Sequence, residues 1–275
     1  MSRIWAGGAL ILAVGNSLAG YPLARWGTEE QKQQWLPALT AGNILGCFAL
    51  TEPDFGSNAG HIMTIAEQKN THWHITGEKH FITNAPVANF IVLFARTNRD
   101  VEGHAGISAF LLPAPTGRGR AKKTLVIGKP DEKAGLHAAH MARIRFDEHI
   151  VPSGALLGEK EQGFRVAMGT LNHGRLWIAA QAIGLLQRAY ELAHSYAEMR
   201  KTFGAPLVTR QAIRNDLVEM ASSLDIARLL LFSAASREDA GEDFAPYASL
   251  AKLFATEELK RLKGKAQDIH GGCGY

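Results

Sequence analysis

Residues Phe48-Ala-Leu-Thr-Glu-Pro-Asp-Phe-Gly-Ser57 and Gly77-Glu-Lys-His-Phe-Ile-Thr-Asn84 decide the interpretation of this chain. The first segment contains proline and glycine and is typical of a turn, whereas the second closes an alternating stretch that predicts a strand. The turn supplies hydroxyls and exposed backbone amides, and the strand supplies one aromatic ring and another hydroxyl. Together they predict a cradle for a flat, polar ring system beside a phosphate-bearing chain.

Within the cradle, Thr51 and Ser57 bracket the turn, and Gly56 allows backbone N–H groups to approach a ligand closely. Phe81 and Thr83 are two residues apart on one predicted strand and so share a face. A planar ligand can then stack on the ring while the hydroxyl binds its edge. Ordinary strand packing explains either segment equally well when it is taken alone.

Outside the cradle, the hydrophobic period changes twice along the chain. It is helical from residue 4 to about 40, where Gly20, Pro22, Gly27 and Pro37 are predicted to mark boundaries. It is strand-like between about 47 and 150, and the predicted strands are 72–76, 90–96, 107–112 and 141–146. From about residue 161 it becomes helical again, and the predicted helices are roughly 161–200, 209–238 and 244–270.

This pattern predicts an α+β fold in three parts. They are a partial N-terminal helical domain (1–46), a central antiparallel β domain built as a sandwich or barrel (47–153) and a C-terminal bundle of long helices (154–275). Three helices leave one side of a four-helix bundle open, and the N-terminal part is thin for a packed layer. We therefore expect a piece of a longer design.

The N-terminus superficially resembles a signal peptide, because Met1-Ser-Arg precedes the apolar stretch Ile4–Val14. About eleven apolar residues are too few to span a bilayer. Asn16 and Ser17 interrupt the run, and Thr28 is placed to cap a following helix. A buried helix is therefore favoured over a signal peptide, and we expect no integral membrane segment.

Composition narrows the class of protein further. The 275 residues carry a formal charge of +4 that is spread along the chain, and the basic run at residues 118–123 is read as a solvated loop. We do not infer nucleic-acid binding. Cys47 and Cys273 lie far apart with no CxxC spacing, so we expect two small packed residues, no disulfide and no metal site. This usage fits a reducing compartment.

Four segments carry a resemblance to a known family. They are Phe48–Ser57, Gly77–Asn84, Tyr196-Ala-Glu-Met-Arg-Lys-Thr-Phe-Gly204 and His270-Gly-Gly-Cys-Gly-Tyr275. In order and spacing they resemble successive signatures of the acyl-CoA dehydrogenases, and Asn172-His-Gly-Arg175 is similar to the short-chain, butyryl-CoA-like branch. The resemblance covers essentially the whole chain but only the central part of that family. The fold that it implies agrees with the order of elements predicted from periodicity.

The resemblance implies FAD as cofactor and acyl-CoA as substrate. By position, the implied FAD residues in the cradle are Phe48, Thr51, Gly56, Ser57, Phe81, Ile82 and Thr83. Arg200, Phe203 and Gln211 match positions that reach the FAD of a neighbouring subunit, and Gly271 and Gly272 match the loop beside its pyrophosphate. Ser57, Asn172 and Arg175 are the implied acyl-CoA contacts.

Two departures from the family pattern affect function. Asp268 stands where the family usually has glutamine, and its carboxylate would repel a phosphate. The glutamate base of most members lies beyond the position of Tyr275, and Gly174 occupies the place used by a minority. Glu52, Glu159 and Glu161 are not credible substitutes. We therefore expect a fragment truncated at both ends that is catalytically inactive alone.

For a complete relative, the resemblance implies oxidation of an acyl-CoA thioester to trans-2-enoyl-CoA and electron transfer to an electron-transferring flavoprotein. It also implies a homotetramer in the bacterial cytoplasm or the mitochondrial matrix. Two alternatives stay open at this point. One is a degenerate FAD- or acyl-CoA-binding fragment without catalysis, and the other, less favoured, is an acyl-CoA oxidase or related flavin monooxygenase-like branch.

Overall fold

The computed structural model describes residues 1–115 and 123–274. It comprises two compact units, one formed by Met1–Leu10 with Asn172–Tyr275 and the other by Ile11–Leu171. Residues 118–122 of the basic run lie outside the described residues, so the solvated-loop interpretation stays a prediction. The division into domains 1–46, 47–153 and 154–275 also stays a prediction.

The N-terminal region is helical over most of the range that its hydrophobic period predicts. Its elements are α1 (Ala6–Ala13), a π-helical segment (Val14–Gly20), α2 (Tyr21–Trp26) and α3 (Glu29–Thr40). Asn16 and Ser17 do not end the helix, because the Ser17 hydroxyl donates to the Ala13 carbonyl at 2.5 Å and is satisfied within it. The run Ala6–Trp26 is long and apolar enough to cross a membrane, and 56% of its apolar window is buried inside the structure.

Helix α3 begins as the sequence predicts but does not end at its proline. The Thr28 hydroxyl accepts from the Gln31 backbone N–H at 3.2 Å, and the Gln31 side chain accepts from the Thr28 N–H at 3.1 Å. This capping box confirms Thr28 as the N-cap. The expectation that Pro37 is a boundary is wrong, since α3 continues through it to Thr40.

The described residues in the middle of the chain form an eight-stranded sheet. Its strands are β1 (Gly46–Ala49), β2 (Ile65–Lys69), β3 (His72–Thr83), β4 (Phe90–Arg96), β5 (Ile107–Pro113), β6 (Leu125–Ile127), β7 (Met141–Pro152) and β8 (Leu156–Leu157). The order is β6-β7-β3-β2-β4-β5-β8, with β1 beside β4. Most pairs are antiparallel as predicted, but β1 and β2 each pair with β4 in parallel.

The centre of this sheet is buried on both faces. Along β4, Ile91, Leu93 and Ala95 pack into one hydrophobic cluster with Trp73 and Phe110. The alternate residues of β4 pack into a second cluster, and they are Phe90, Val92 and Phe94. Successive side chains of a strand point to opposite faces, so this nearly continuous apolar strand has a core on each side.

The C-terminal part of the chain consists of long helices. They are α4 (Gly163–Met199), α5 (Gln211–Asp239) and α6 (Ala245–His270), and α4 and α5 are joined by a hairpin of β9 (Lys201–Thr202) and β10 (Ala205–Pro206). The predicted helix bounds are confirmed to within two residues or so. Leu186 of α4, Leu224 of α5 and Leu262 of α6 are buried in one cluster. Apolar residues at helical spacing therefore supply the packing of this unit.

Candidate functional site

The cradle is assembled by contacts between the turn after β1 and strand β3. The His80 backbone N–H donates to the Thr51 carbonyl at 2.8 Å. Beside it, the Lys79 ammonium donates to the Leu50 carbonyl at 3.0 Å and to the Glu52 carboxylate at 2.8 Å. These three bonds bring together the two segments that are about twenty residues apart in the sequence.

Lys79 and Glu52 form a buried ion pair, with side-chain exposures of 0% and 4%. The Glu52 carboxylate also accepts from the backbone N–H groups of Met63 and Thr64, at 2.6 and 2.9 Å. Burial raises the pKa of Glu52, but the charge of Lys79 and these hydrogen bonds outweigh it, so the pKa lies below its ordinary value. Burial lowers the pKa of Lys79 to about 8, although Glu52 partly opposes it.

A β-bulge in β3 determines which side chains face outward. The pairing with β7 shifts by one residue between Lys79 and Ile82, and Phe81 adopts a left-handed φ of 57°. Trp73, Ile75 and Lys79 face the core before the shift, and Ile82 faces it afterwards. Without the bulge, strict alternation would bury Phe81. With it, the Phe81 ring is 55% exposed.

The other predicted cradle residues have different environments. Thr51 and Thr83 are half-buried, and Ser57 is exposed. Gly56 has ordinary φ and nothing within 4 Å of the position of a Cβ, so the fold itself does not require glycine there. Phe48 packs against Phe94 with ring centroids 4.8 Å apart, which makes it part of the core wall. Ile82 is buried in the core, so only its backbone is available to a ligand.

Three of the predicted FAD residues lie at the connection between α4 and α5. Arg200, Phe203 and Gln211 are all exposed, and the Phe203 ring is 100% exposed. The Arg210 guanidinium lies 5.7 Å from the centroid of that ring and donates to the Thr202 carbonyl at 2.6 Å. Phe203 and Gly204 have φ of 50° and 78°, as in a two-residue hairpin turn.

The glycines at the end of α6 lie in an exposed turn. Gly271 has a left-handed φ of 58°, and neither Gly271 nor Gly272 has atoms within 4 Å of a Cβ position. Asp268 is exposed on the last turn of α6. Cys47 is buried, which raises the pKa of its thiol, but Cys273 is exposed. The expectation that both cysteines are packed is therefore wrong for Cys273, because the turn after α6 lies on the surface.

The two predicted substrate residues on α4 contact each other. The Arg175 guanidinium donates to the Asn172 side-chain oxygen, and both side chains are half-buried. Between them, His173 lies 2.8 Å from the Glu238 carboxylate, and Gly174 is buried. Asn172 and Arg175 therefore form one polar group on the helix, and Gly174 supplies no carboxylate.

Three glutamates lie in the turn after β1 or just before α4. Two of them have polar partners, and the third is exposed. Glu52 is buried in its ion pair. Glu161 lies 3.7 Å from the Lys160 ammonium and accepts from the Asn98 side chain at 3.4 Å. Glu159 is exposed before α4 begins. Among residues 1–115 and 123–274, no cluster of three or more His, Cys, Asp or Glu side chains is arranged to hold a metal ion.

Sequence reasoning missed the structural roles of Glu52, Lys79 and His80. A signal was present for Lys79, because alternation from Trp73 and Ile75 places it on the core face, where a lysine needs a buried acid. The turn contains two acids, Glu52 and Asp54. No comparable signal marks the bulge, because the left-handed φ of Phe81 is unusual for an aromatic residue.

The fold and its matches to family models define the class of protein. The family models for acyl-CoA dehydrogenases match residues 1–43 (N-terminal domain), 47–149 (middle domain) and 161–275 (C-terminal domain). The chain belongs to the acyl-CoA dehydrogenase family, whose members are oxidoreductases that act on CH–CH groups.

Individual relatives point to the short-chain branch. Short-chain specific acyl-CoA dehydrogenase, mitochondrial, of Bos taurus is 43% identical over 275 residues, which are 100% of this chain and 65% of that protein. An acyl-CoA dehydrogenase of Bacillus subtilis is 40% identical, with 100% and 71% covered. Butyryl-CoA dehydrogenase of Megasphaera elsdenii has a solved structure that matches with a TM-score of 0.94 and 36% identity, over 100% of this chain and 70% of that one. The chain thus spans 65% of the length of its mitochondrial relative.

Proposed function

We propose that this chain carries the flavin-binding part of a short-chain acyl-CoA dehydrogenase and that its cofactor is FAD. Thr51, Ser57, Phe81 and Thr83 would hold the flavin ring, and the backbone beside Gly56 would approach it closely. The observation that carries the proposal is the exposed Phe81 ring on its strained bulge, since such strain persists where the surroundings enforce it for a function. The open space beside Gly56 also fits a ligand.

The helical unit supports a second flavin contact. Phe203 combines full exposure with a left-handed φ, so its ring contributes no burial and its backbone is strained. Arg200 is an exposed guanidinium, which suits phosphate oxygens, and Gly271 and Gly272 leave space for a pyrophosphate. We propose that Arg200, Phe203, Gln211, Gly271 and Gly272 contact the FAD of a neighbouring subunit in a homotetramer.

For the complete enzyme we propose oxidation of an acyl-CoA thioester to trans-2-enoyl-CoA. Bound FAD would supply a hydride acceptor, and an electron-transferring flavoprotein would take up the electrons. Ser57, Asn172 and Arg175 would position acyl-CoA, and apolar walls would exclude water from the thioester. The protein would reside in the bacterial cytoplasm or the mitochondrial matrix, without an integral membrane segment.

We also propose that no acidic side chain of the described residues serves as the catalytic base. The reaction needs a carboxylate that removes the α-proton of the thioester. Glu52 is buried and paired, Glu161 is engaged by Lys160 and Asn98, and Gly174 has no side chain. The 275-residue chain is therefore expected to bind flavin without oxidising acyl-CoA.

Titration of the purified chain with FAD tests the cofactor assignment. We expect quenching of flavin fluorescence, and we expect Phe81→Ala to raise the Kd by about tenfold through the lost aromatic contact. Val126→Ala is the matched control, because Val126 in β6 is also an exposed apolar residue of the eight-stranded sheet and lies outside the cradle. Absence of bound flavin at saturating FAD would overturn the proposal.

Addition of butyryl-CoA to the FAD-loaded chain under anaerobic conditions tests the missing base. We expect the visible flavin band to persist, because on this proposal no acidic side chain of the described residues removes the α-proton. Bleaching of the band would show that a base is present and would contradict this part of the proposal. Rapid oxygen consumption in air would instead favour an oxidase.

A further inference from the structure

His80 and Phe81 are chain neighbours whose rings stack face to face. Their centroids are 3.8 Å apart and the ring planes differ by 10°. Adjacent residues of a regular strand point to opposite faces of the sheet, so such a stack cannot form in one. The bulge between Lys79 and Ile82, with its left-handed φ at Phe81, places both rings on the same side.

The His80 ring is itself held in place. The Arg143 Nε donates to His80 Nε2 at 3.2 Å, and the same guanidinium lies 3.3 Å from the Glu78 carboxylate. An arginine N–H can only donate, so Nε2 of His80 is the acceptor in this bond. The backbone N–H of His80 donates to Thr51, which fixes its main chain against the turn. The ring that covers Phe81 is therefore anchored by a side chain of β7 and by the cradle.

We propose that His80 is a positioning residue for the flavin-binding ring of Phe81, a role that rests on the proposed binding of FAD. His80 covers one face of Phe81, so a flat ligand has access only to the other face. It also restricts rotation of a side chain that is otherwise largely exposed. Arg143 acts one step further away, by holding His80. The cradle thus presents a fixed aromatic surface before the ligand binds. This lowers the entropic cost of immobilising the Phe81 side chain on binding.

Four variants of the full 275-residue chain test this role. His80→Ala removes the stack, and His80→Phe keeps an aromatic ring but loses the bond from Arg143. Arg143→Met removes the anchor. Arg145→Met is the matched control, because Arg145 is a similarly exposed residue of β7 whose near partner is Asp147, at 3.7 Å. Each variant is titrated with FAD, and its bound flavin is recorded by visible circular dichroism, which reports the surroundings of the flavin ring.

We expect His80→Ala to raise the Kd for FAD by about three- to tenfold and to change the visible dichroism. His80→Phe should restore most of both properties, Arg143→Met should cause a smaller loss, and Arg145→Met should behave as the wild type. Unchanged Kd and dichroism in His80→Ala would overturn the inference while leaving the FAD assignment intact.

A purely structural role has a different outcome. The melting temperature of the flavin-free chain would then fall in His80→Ala in proportion to the lost affinity, and His80→Phe would restore neither property. That result would also overturn the inference. Failure of the wild-type chain to bind FAD would overturn the proposed function itself, and is distinguished by the wild-type titration alone.

Discussion

The Nζ atom of Lys79 lies 2.8 Å from Oε1 of Glu52, and this buried ion pair joins the turn after β1 to strand β3. Among residues 1–115 and 123–274, neither Lys79 nor Glu52 forms a salt bridge with any other side chain. Lys79→Met would therefore leave a carboxylate buried without its counter-charge. We expect it to lower the free energy of unfolding by about 3–5 kcal/mol, measured by urea denaturation.

The double variant Glu52→Gln/Lys79→Met is the control for this prediction. Because it removes both charges, it avoids the unpaired carboxylate, and it should recover most of the lost stability. A double variant as unstable as Lys79→Met would show that the pair does not behave as a coupled unit.

The same pair predicts an acid-sensitive contribution to stability. Burial raises the pKa of Glu52, yet Lys79 and the hydrogen bonds hold the net value below 4.5. Between the lowered pKa of the folded state and the higher pKa of the unfolded state, the unfolded chain binds a proton that the folded chain does not, so stability decreases as pH falls. The contribution is fully present above the unfolded pKa and is lost as pH falls through the folded one.

Urea midpoints of the wild type and the double variant measure this effect from about pH 7 to about pH 3. Subtracting the two series removes the other carboxylates, which titrate in both proteins. The stability of the wild type relative to the double variant should decrease over the acid part of the range. A difference that is independent of pH would contradict the assignment of a lowered pKa to Glu52.

The cap of α3 gives a prediction about local stability. Thr28→Ala removes the hydroxyl that accepts from Gln31, and we expect a loss of about 1 kcal/mol in the free energy of unfolding. Gln31→Ala should cost more, because the Gln31 side chain also donates to the carbonyls of Gly154 and Leu156. Thr40→Ala, at the exposed end of the same helix, is the control and should change little. Equal losses for Thr28 and Thr40 would argue against the capping box.

Much of the fold follows from the sequence because its signals are local. Hydrophobic period located the long helices, and β-branched and aromatic runs located the core strands β4 and β5. The bulge at Phe81 did not follow, since it depends on pairing between β3 and β7, which are remote in sequence. The role of Glu52 was missed for the same reason, because its partner is 27 residues away. Tertiary pairing thus determines how the cradle is oriented.

A variant of Phe203 tests whether an exposed ring that adds no burial to the fold binds FAD instead. Its ring is 100% exposed, so Phe203→Ala should change the free energy of unfolding by less than about 0.5 kcal/mol. If the ring contacts FAD, the same change should weaken FAD binding in an assembled oligomer. Phe232→Ala on α5 is the matched exposed aromatic and should leave the FAD titration unchanged. Equal effects of both variants on FAD binding would contradict a specific role for Phe203.

Variants of Gly56 and Gly77 distinguish an effect on FAD binding from an effect on folding stability. A Cβ at Gly56 meets no atom within 4 Å, so Gly56→Ala should fold with nearly unchanged stability. If the turn lies against a flavin, the added methyl group occupies ligand space, and we expect the Kd for FAD to rise by about tenfold or more. A Cβ at Gly77 would lie 2.7 Å from the Thr64 Cα at a φ of 148°, so Gly77→Ala should lower the melting temperature. Wild-type FAD affinity in Gly56→Ala would show that the open space beside this turn is not used by the cofactor.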